Sequence, residues 1–306
     1  SPWKETSSDI DVKNGKVFVA SGGVQDNYTP LSNRDGFYIL DDGIWTIYRQ
    51  DDIPAVDDVD FINNFQIETH PSDDRIYVGS YYEGLLEYNS VTQEATHYNE
   101  SNSPISATNG DSQRDRISGL TFDENEVLWV NNFGADDPLL AYTPEGDWFA
   151  FNPAGENTLS KVAVDRNGYT WSVVVSAGGG VSVHNTNGTL ADPNDDQTIF
   201  INKSNSALET GTINTIAVDL DGEVWVGTNK GPVIFDSGSQ LFDGEDLGSV
   251  RVALQDNILG ELLATEDIRA IAFDGANRKW FGTSNGIFVQ SPDAEELVMK
   301  FDVDNS

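Results

Sequence analysis

A large aromatic residue followed by a short apolar-Gly-Thr step recurs along this chain, six residues after an Asp and a few before another Gly. The plainest copy is Asp219-Leu-Asp-Gly-Glu-Val-Trp225-Val-Gly227-Thr228-Asn-Lys-Gly231. Aligned on the aromatic anchor, the units fall at Phe18, Tyr77, Trp129, Trp171, Trp225 and Trp280, separated by 59, 52, 42, 54 and 55 residues. Asp123, Asp165, Asp219 and Asp274 stand six residues before their Trp; Val12 and Pro71 take that place in the first two units. A period in this range means that one supersecondary unit is repeated and that no copy buries its apolar surface alone.

Within a unit the apolar residues alternate, as in Ile213-Asn-Thr-Ile216-Ala-Val218, Leu159-Ser-Lys-Val162-Ala-Val164 and Ile268-Arg-Ala-Ile271-Ala-Phe273. A period of two is a strand pattern, and its irregularity implies burial on both faces. Each first strand ends at a turn rich in Asp, Asn and Gly, where the carboxylate accepts backbone N–H groups and Gly takes positive φ. The second strand carries the anchor, and the Gly near its end admits a close turn into a third, such as Ile287-Phe-Val289. A more polar fourth follows, such as Glu94-Ala-Thr-His-Tyr98 or Glu296-Leu-Val-Met-Lys-Phe301. Four antiparallel strands at this period make one blade of a β-propeller. The expected fold is therefore all-β, with six visible blades and a seventh that sequence outside these residues could supply. Residues 1–306 are expected to form a single domain. The anchors suit inter-blade packing, where a wide ring fills the wedge and buries roughly 150–250 Å².

Asp and Glu number 51 against 17 Lys and Arg, a formal net charge of −34. Binding nucleic acid or an anionic membrane needs basic clusters that such a chain lacks, so both are disfavoured. Dispersed carboxylates also keep sheet edges from pairing with one another. There is no Cys, which excludes disulfides and thiolate chemistry. No run of about 18 apolar residues encodes a transmembrane helix.

His70, His97 and His184 stand at unrelated positions in different units, so a shared metal site is not expected. The metalloprotease, nucleophile-elbow, phosphate-loop and dinucleotide motifs are all missing. Gly178-Gly179-Gly180 leads into Val181-Ser-Val183 and reads as a hairpin loop. Carboxylate pairs such as Asp57-Asp58, Asp136-Asp137 and Asp195-Asp196 are abundant, as chance provides in so acidic a chain. The turn Asp residues lack the twelfth-position Glu of a calcium loop. A non-enzyme with no cofactor and no metal is expected.

The segment from Ile213 to Gly231, and again Ile268-Arg-Ala-Ile-Ala-Phe-Asp274-Gly-Ala-Asn-Arg-Lys-Trp280-Phe-Gly-Thr-Ser-Asn-Gly286, resembles the two-component-regulator propeller repeat. Asp267 to Thr283, with Gly286-Ile-Phe and Ser291-Pro-Asp after it, further resembles the propeller of PorZ-type components of the type IX secretion system of Bacteroidetes. That resemblance implies a non-catalytic binding or scaffold domain, excised from a larger multidomain protein, at the outer-membrane surface or in the periplasm, with secretion-system proteins or surface polysaccharide as partners. Within the same repeat family it also allows the periplasmic oligosaccharide sensor of a hybrid two-component histidine kinase. A propeller lyase or lactonase is the third reading.

In a propeller, the hairpins after the second strands lie on one face. Tyr81, Tyr82, Asn131, Asn132, Phe133, Asn229, Lys230, Ser284 and Asn285 are therefore expected on a common binding rim, with the Gly22 to Arg34 insertion beside them. Alanine at Tyr81, Tyr82 and Phe133 together is expected to abolish partner capture without lowering the melting temperature.

Overall fold

The computed structural model describes residues 6–176, 178–236, 241–244, 248–255 and 258–304. The first sheet is β1 (Asp9–Lys13), β2 (Lys16–Ala20), β3 (Phe37–Asp41) and β4 (Ile44–Tyr48). The second is β5 (Asn64–Thr69), β6 (Arg75–Ser80), β7 (Leu85–Asn89) and β8 (Ala95–Tyr98). The third is β9 (Ile117–Phe122), β10 (Leu128–Asn132), β11 (Leu139–Tyr142) and β12 (Trp148–Phe151). The fourth is β13 (Leu159–Val164), β14 (Thr170–Val174), β15 (Gly180–Asn185) and β16 (Gln197–Ile201). The fifth is β17 (Ile213–Val218), β18 (Glu223–Thr228) and β19 (Gly231–Asp236), followed by a separate hairpin of β20 (Val252–Gln255) and β21 (Ile258–Glu261). The sixth is β22 (Ile268–Phe273), β23 (Lys279–Thr283), β24 (Gly286–Gln290) and β25 (Leu297–Phe301). Neighbours in each blade are consecutive in sequence, so these are six meander blades of a β-propeller.

Five blades have four strands, as the repeat implies. In the fifth, among the described residues, Ser249 holds the outermost place and exchanges both backbone hydrogen bonds with Ile234 at 2.9 and 2.7 Å. The sequence between Phe235 and Val250 offers Gly, Ser and Asp in place of an alternating apolar run.

Of the described residues, those up to Asn152 together with Asn157–Ser160 form one compact unit; Pro153–Glu156 and those from Lys161 onward form another. In the first, strand alternation divides side chains between two cores. Ile76 and Val78 of β6, with Leu86 and Tyr88 of β7, join Phe18, Phe37 and Ile67. Tyr77 and Leu85, on the opposite face of those strands, join Ile117, Leu128 and Val130. In the second unit Val224, Val226, Val233 and Phe235 pack with Trp171, while Trp225 and Ile234 pack with Ile268 and Phe281. Both faces of a blade are thus apolar because each blade serves two interfaces.

The recurring Asp and Trp are joined directly. The Oδ2 atoms of Asp123, Asp165, Asp219 and Asp274 accept the indole N–H of Trp129, Trp171, Trp225 and Trp280 at 3.1, 2.9, 3.3 and 3.0 Å. The Oδ1 atoms each accept two backbone N–H groups from the turn, two and four residues on, at 2.8 to 3.1 Å. One carboxylate therefore closes the turn and sets the rotamer of the wedge, which fixes the six-residue spacing. The Gly of the step clears room for the next blade: a Cβ at Gly79 would stand 2.6 Å from Ile117 Cγ2, and one at Gly227 would stand 2.9 Å from Ile268 Cγ2. The Thr closes the tip, since Thr228 Oγ1 donates to Gly231 O at 2.7 Å and accepts from Lys230 N at 2.9 Å.

Candidate binding surface

In the first unit, the hairpin tip after β6 and the end of β10 converge with the insertion between β2 and β3. Tyr28 of the insertion lies parallel to Phe133, with centroids 5.4 Å apart and planes 7° apart, and its hydroxyl reaches Ser160 Oγ at 3.0 Å. Phe133 also meets Tyr81 at 5.7 Å, and Tyr81 meets Phe65 edge-on at 5.2 Å. The Arg116 guanidinium lies 5.4 Å from the Tyr81 ring centre and that of Arg114 lies 4.6 Å from Tyr82. Both arginines bind one carboxylate, Asp111, at 2.8 and 2.6 Å, which leaves the trio with a net positive charge. The tip is tied to the insertion by Ser32 Oγ and Tyr82 Oη at 2.5 Å. The insertion itself is pinned by the buried amide of Asn63, which donates to Gly23 O at 2.9 Å and accepts from Asn33 N at 3.3 Å.

This geometry corrects part of the rim expected from sequence. Tyr81 is 0% exposed, because the chain turns inward after Ser80 and seats the ring among Phe65, Phe133 and Arg116. Asn131 and Asn132 are likewise fully buried: Asn131 Nδ2 donates to Ser160 O at 2.5 Å, and Asn132 accepts from Ser106 N at 2.8 Å and donates to Arg116 O at 3.2 Å. These three pack beneath the surface, so truncating Tyr81 to Ala is expected to lower stability by opening a cavity. Tyr82 and Phe133 stay half-buried and reachable. The repeat does not mark Tyr28, Ser32, Arg114 or Arg116: the long insertion points to the first two, and nothing local in the sequence points to the two arginines.

In the second unit, Asn229 and Lys230 at one tip, and Ser284 and Asn285 at the next, are exposed. The two tips share Glu266, whose backbone oxygen accepts from Gly231 N at 3.0 Å and whose carboxylate accepts from Asn285 Nδ2 at 2.9 Å. Lys230 pairs loosely with Glu209 at 3.6 Å.

The histidines have local partners. Arg75 donates to His70 Nε2 at 2.9 Å, and burial with that guanidinium pushes the imidazole pKa down. His97 Nε2 donates to Glu83 O at 2.6 Å. Burial lowers His184 to about 4, so its 3.4 Å approach to Asp196 is a contact of a neutral ring near pH 7. Among the described residues, no group of three or more His, Asp or Glu is arranged to hold a metal ion. No helix there is long and apolar enough to cross a membrane.

No protein-family model matches the chain, nor does any curated protein. Solved structures do. PorZ, an essential surface component of the type IX secretion system of Porphyromonas gingivalis, matches 100% of this chain with a TM-score of 0.84 and 22% identity. Over its whole length this chain is similar in fold to part of PorZ. The chain spans 43% of the length of PorZ. The extracellular domain of a protein described as a hybrid two-component system of B. thetaiotaomicron matches 98% of the chain, over 36% of its own length, at TM-score 0.64 and 13% identity. Virginiamycin B lyase of Staphylococcus aureus matches 98%, over 85% of its length, at 0.65 and 12%. Against these two, PorZ follows the path of this chain more closely from end to end.

Proposed function

We propose that this propeller is a non-catalytic binding or scaffold domain of a type IX secretion-system component at the cell surface, which captures protein partners or surface polysaccharide. The observation that supports this reading is the likeness of the whole chain to part of PorZ at TM-score 0.84, against 0.64 and 0.65 for the two-component extracellular domain and the lyase. The aromatic and arginine-bearing surface of the first unit is the capture site: Tyr82 and Phe133 offer flat apolar faces, and Arg114 and Arg116 supply charge-assisted donors. Asn229, Lys230, Ser284 and Asn285 form a second, polar contact surface.

The test is capture by the intact chain of purified type IX components and of the source organism's surface polysaccharide, with Tyr82→Ala and Phe133→Ala as variants. Capture that falls at least about tenfold in the variants, a difference of about 1.4 kcal/mol, at unchanged melting temperature supports the reading. Capture untouched by both variants removes the site assignment, and turnover of a lactone or glycan replaces the reading with an enzymatic one. The likeness to a two-component extracellular domain favours one alternative, an oligosaccharide sensor; selective binding of short neutral glycans would establish it.

A further inference from the structure

We propose that the stacking position on Phe133 is a ligand site now filled by the chain's own Tyr28, and that its external ligand is a peptide ending in an aromatic residue, bound through the ring and the terminal carboxylate. This rests on the binding-domain reading above and specifies what the first unit's surface takes.

Three observations converge. First, the Tyr28 loop is held in unfavourable backbone: Tyr28, Ser32 and the pinning residue Asn63 have φ of 61°, 56° and 53°. Non-Gly residues in the left-handed region persist only where surroundings over-determine them, and such strain clusters at ligand clamps and switch regions. Second, the ring beside this loop is a receptor for a flat aromatic group. Tyr28 lies 7° from parallel to Phe133 and extends a hydroxyl to Ser160, the placement that an aromatic side chain from another molecule would adopt. Third, two donors at the same place have no hydrogen-bond partner. Tyr81 is 0% exposed and its Oη is unpaired, and so is Arg116 Nε. The Arg116 guanidinium stands 5.4 Å from the Tyr81 ring centre, and that ring stands 5.7 Å from Phe133, the stacking partner of Tyr28. Burial pushes the Tyr81 pKa up, so the group remains an O–H donor at any physiological pH.

An N–H and an O–H call for an acceptor, and the guanidinium beside them favours an anionic one. A terminal carboxylate supplies two oxygens next to an aromatic side chain, which matches a ring receptor flanked by two donors. A sugar acid supplies the carboxylate but presents a puckered ring to Phe133, a poorer fit for the near-parallel stack that Tyr28 adopts there. Tyr28 then acts as an internal competitor. The loop is displaced when ligand enters, and the ligand's apparent affinity is reduced by the fraction of time that Tyr28 holds the site.

The experiment titrates the intact chain with N-acetyl-phenylalanine, its C-terminal amide and glucuronic acid, followed by calorimetry and by the NMR signals of Phe133 and Tyr28. The acid is expected to bind at least about tenfold more tightly than the amide. Tyr28→Ala is expected to raise affinity for the acid by a similar factor, and Tyr28→Leu, which keeps the loop packed, to raise it as well. Tyr81→Phe is expected to erase the preference for acid over amide while the melting temperature holds. Equal binding of acid and amide, tighter binding of glucuronic acid, or weaker binding in both Tyr28 variants overturns the proposal. Capture of secretion components by the same chain is a separate readout: if it persists while the acid fails to bind, the peptide assignment falls and the binding-domain reading stands.

Discussion

The ammonium of Lys279 is almost wholly enclosed, at 1% side-chain exposure, and lies 2.7 Å from Asp219, which also holds Trp225. Burial alone would raise the Asp219 pKa, but the Lys279 hydrogen bond and the turn amides outweigh it and hold the carboxyl below its ordinary value. Its contribution to stability is present above the unfolded pKa and disappears as pH falls through the folded one. Lys279→Met leaves a buried carboxylate unpaired and is expected to cost about 3–5 kcal/mol in urea unfolding. Adding Asp219→Asn should recover part of that loss; a double variant no more stable than the single one would disprove the pairing. Glu68 behaves in the opposite sense. Burial, then Asp11 and Asp9, push its pKa well above the ordinary value. A raised folded pKa gives stability that is full below the unfolded value and lost as pH rises. Glu68→Gln is therefore expected to raise the melting temperature at pH 7 and to have no effect near pH 4; a variant equally stabilised at both would count against this. The Asp-to-Trp spacing was legible in the sequence, but its cause, one carboxylate shared by turn and indole, needs the folded hairpin. The burial of Tyr81 was not legible, because Phe65, Phe133 and Arg116 are remote in sequence from it.

At the scale of the strand pair, the Gly-Thr step is a packing requirement between successive blades. A methyl at Gly227 would meet Thr215 Cγ2 at 2.6 Å and Ile268 Cγ2 at 2.9 Å, while one at Gly282 would come no nearer than 3.3 Å, to Ala270 Cβ of its own blade. Gly227→Ala should thus cost about 1–3 kcal/mol, the usual penalty for overpacking a core. Gly282→Ala should be nearly neutral. Urea midpoints of the two variants decide the matter, and equal losses would mean that the glycines serve the strand itself and not the neighbouring blade. The repeat made these elements legible because turn chemistry and alternation are local. The fifth blade was less so: its outer place is held by Ser249, and the β20–β21 hairpin bridges Leu254 to Glu296 of the sixth blade, a pairing that no local pattern encodes.

At the scale of the whole molecule, cooperativity follows from strands that serve two cores at once. Tyr77 and Val78 are adjacent in β6 yet belong to different cores, and Trp225 and Val226 do the same in β18. A middle blade cannot lose its sheet without opening both interfaces, so each compact unit should unfold as a block. The six anchors spaced 42 to 59 residues apart made the propeller readable from sequence, whereas the grouping of blades into units depends on contacts that the repeat does not distinguish. We propose that residues 1–306 nevertheless behave as one domain. Calorimetry should then show a single transition whose calorimetric and van't Hoff enthalpies agree. Added salt should move that transition upward, because screening relieves the repulsion of a chain with formal net charge −34. Two resolved transitions, one shifted by Lys279→Met and the other by Glu68→Gln, would instead make the two units independent domains, since each substitution lies in a different one.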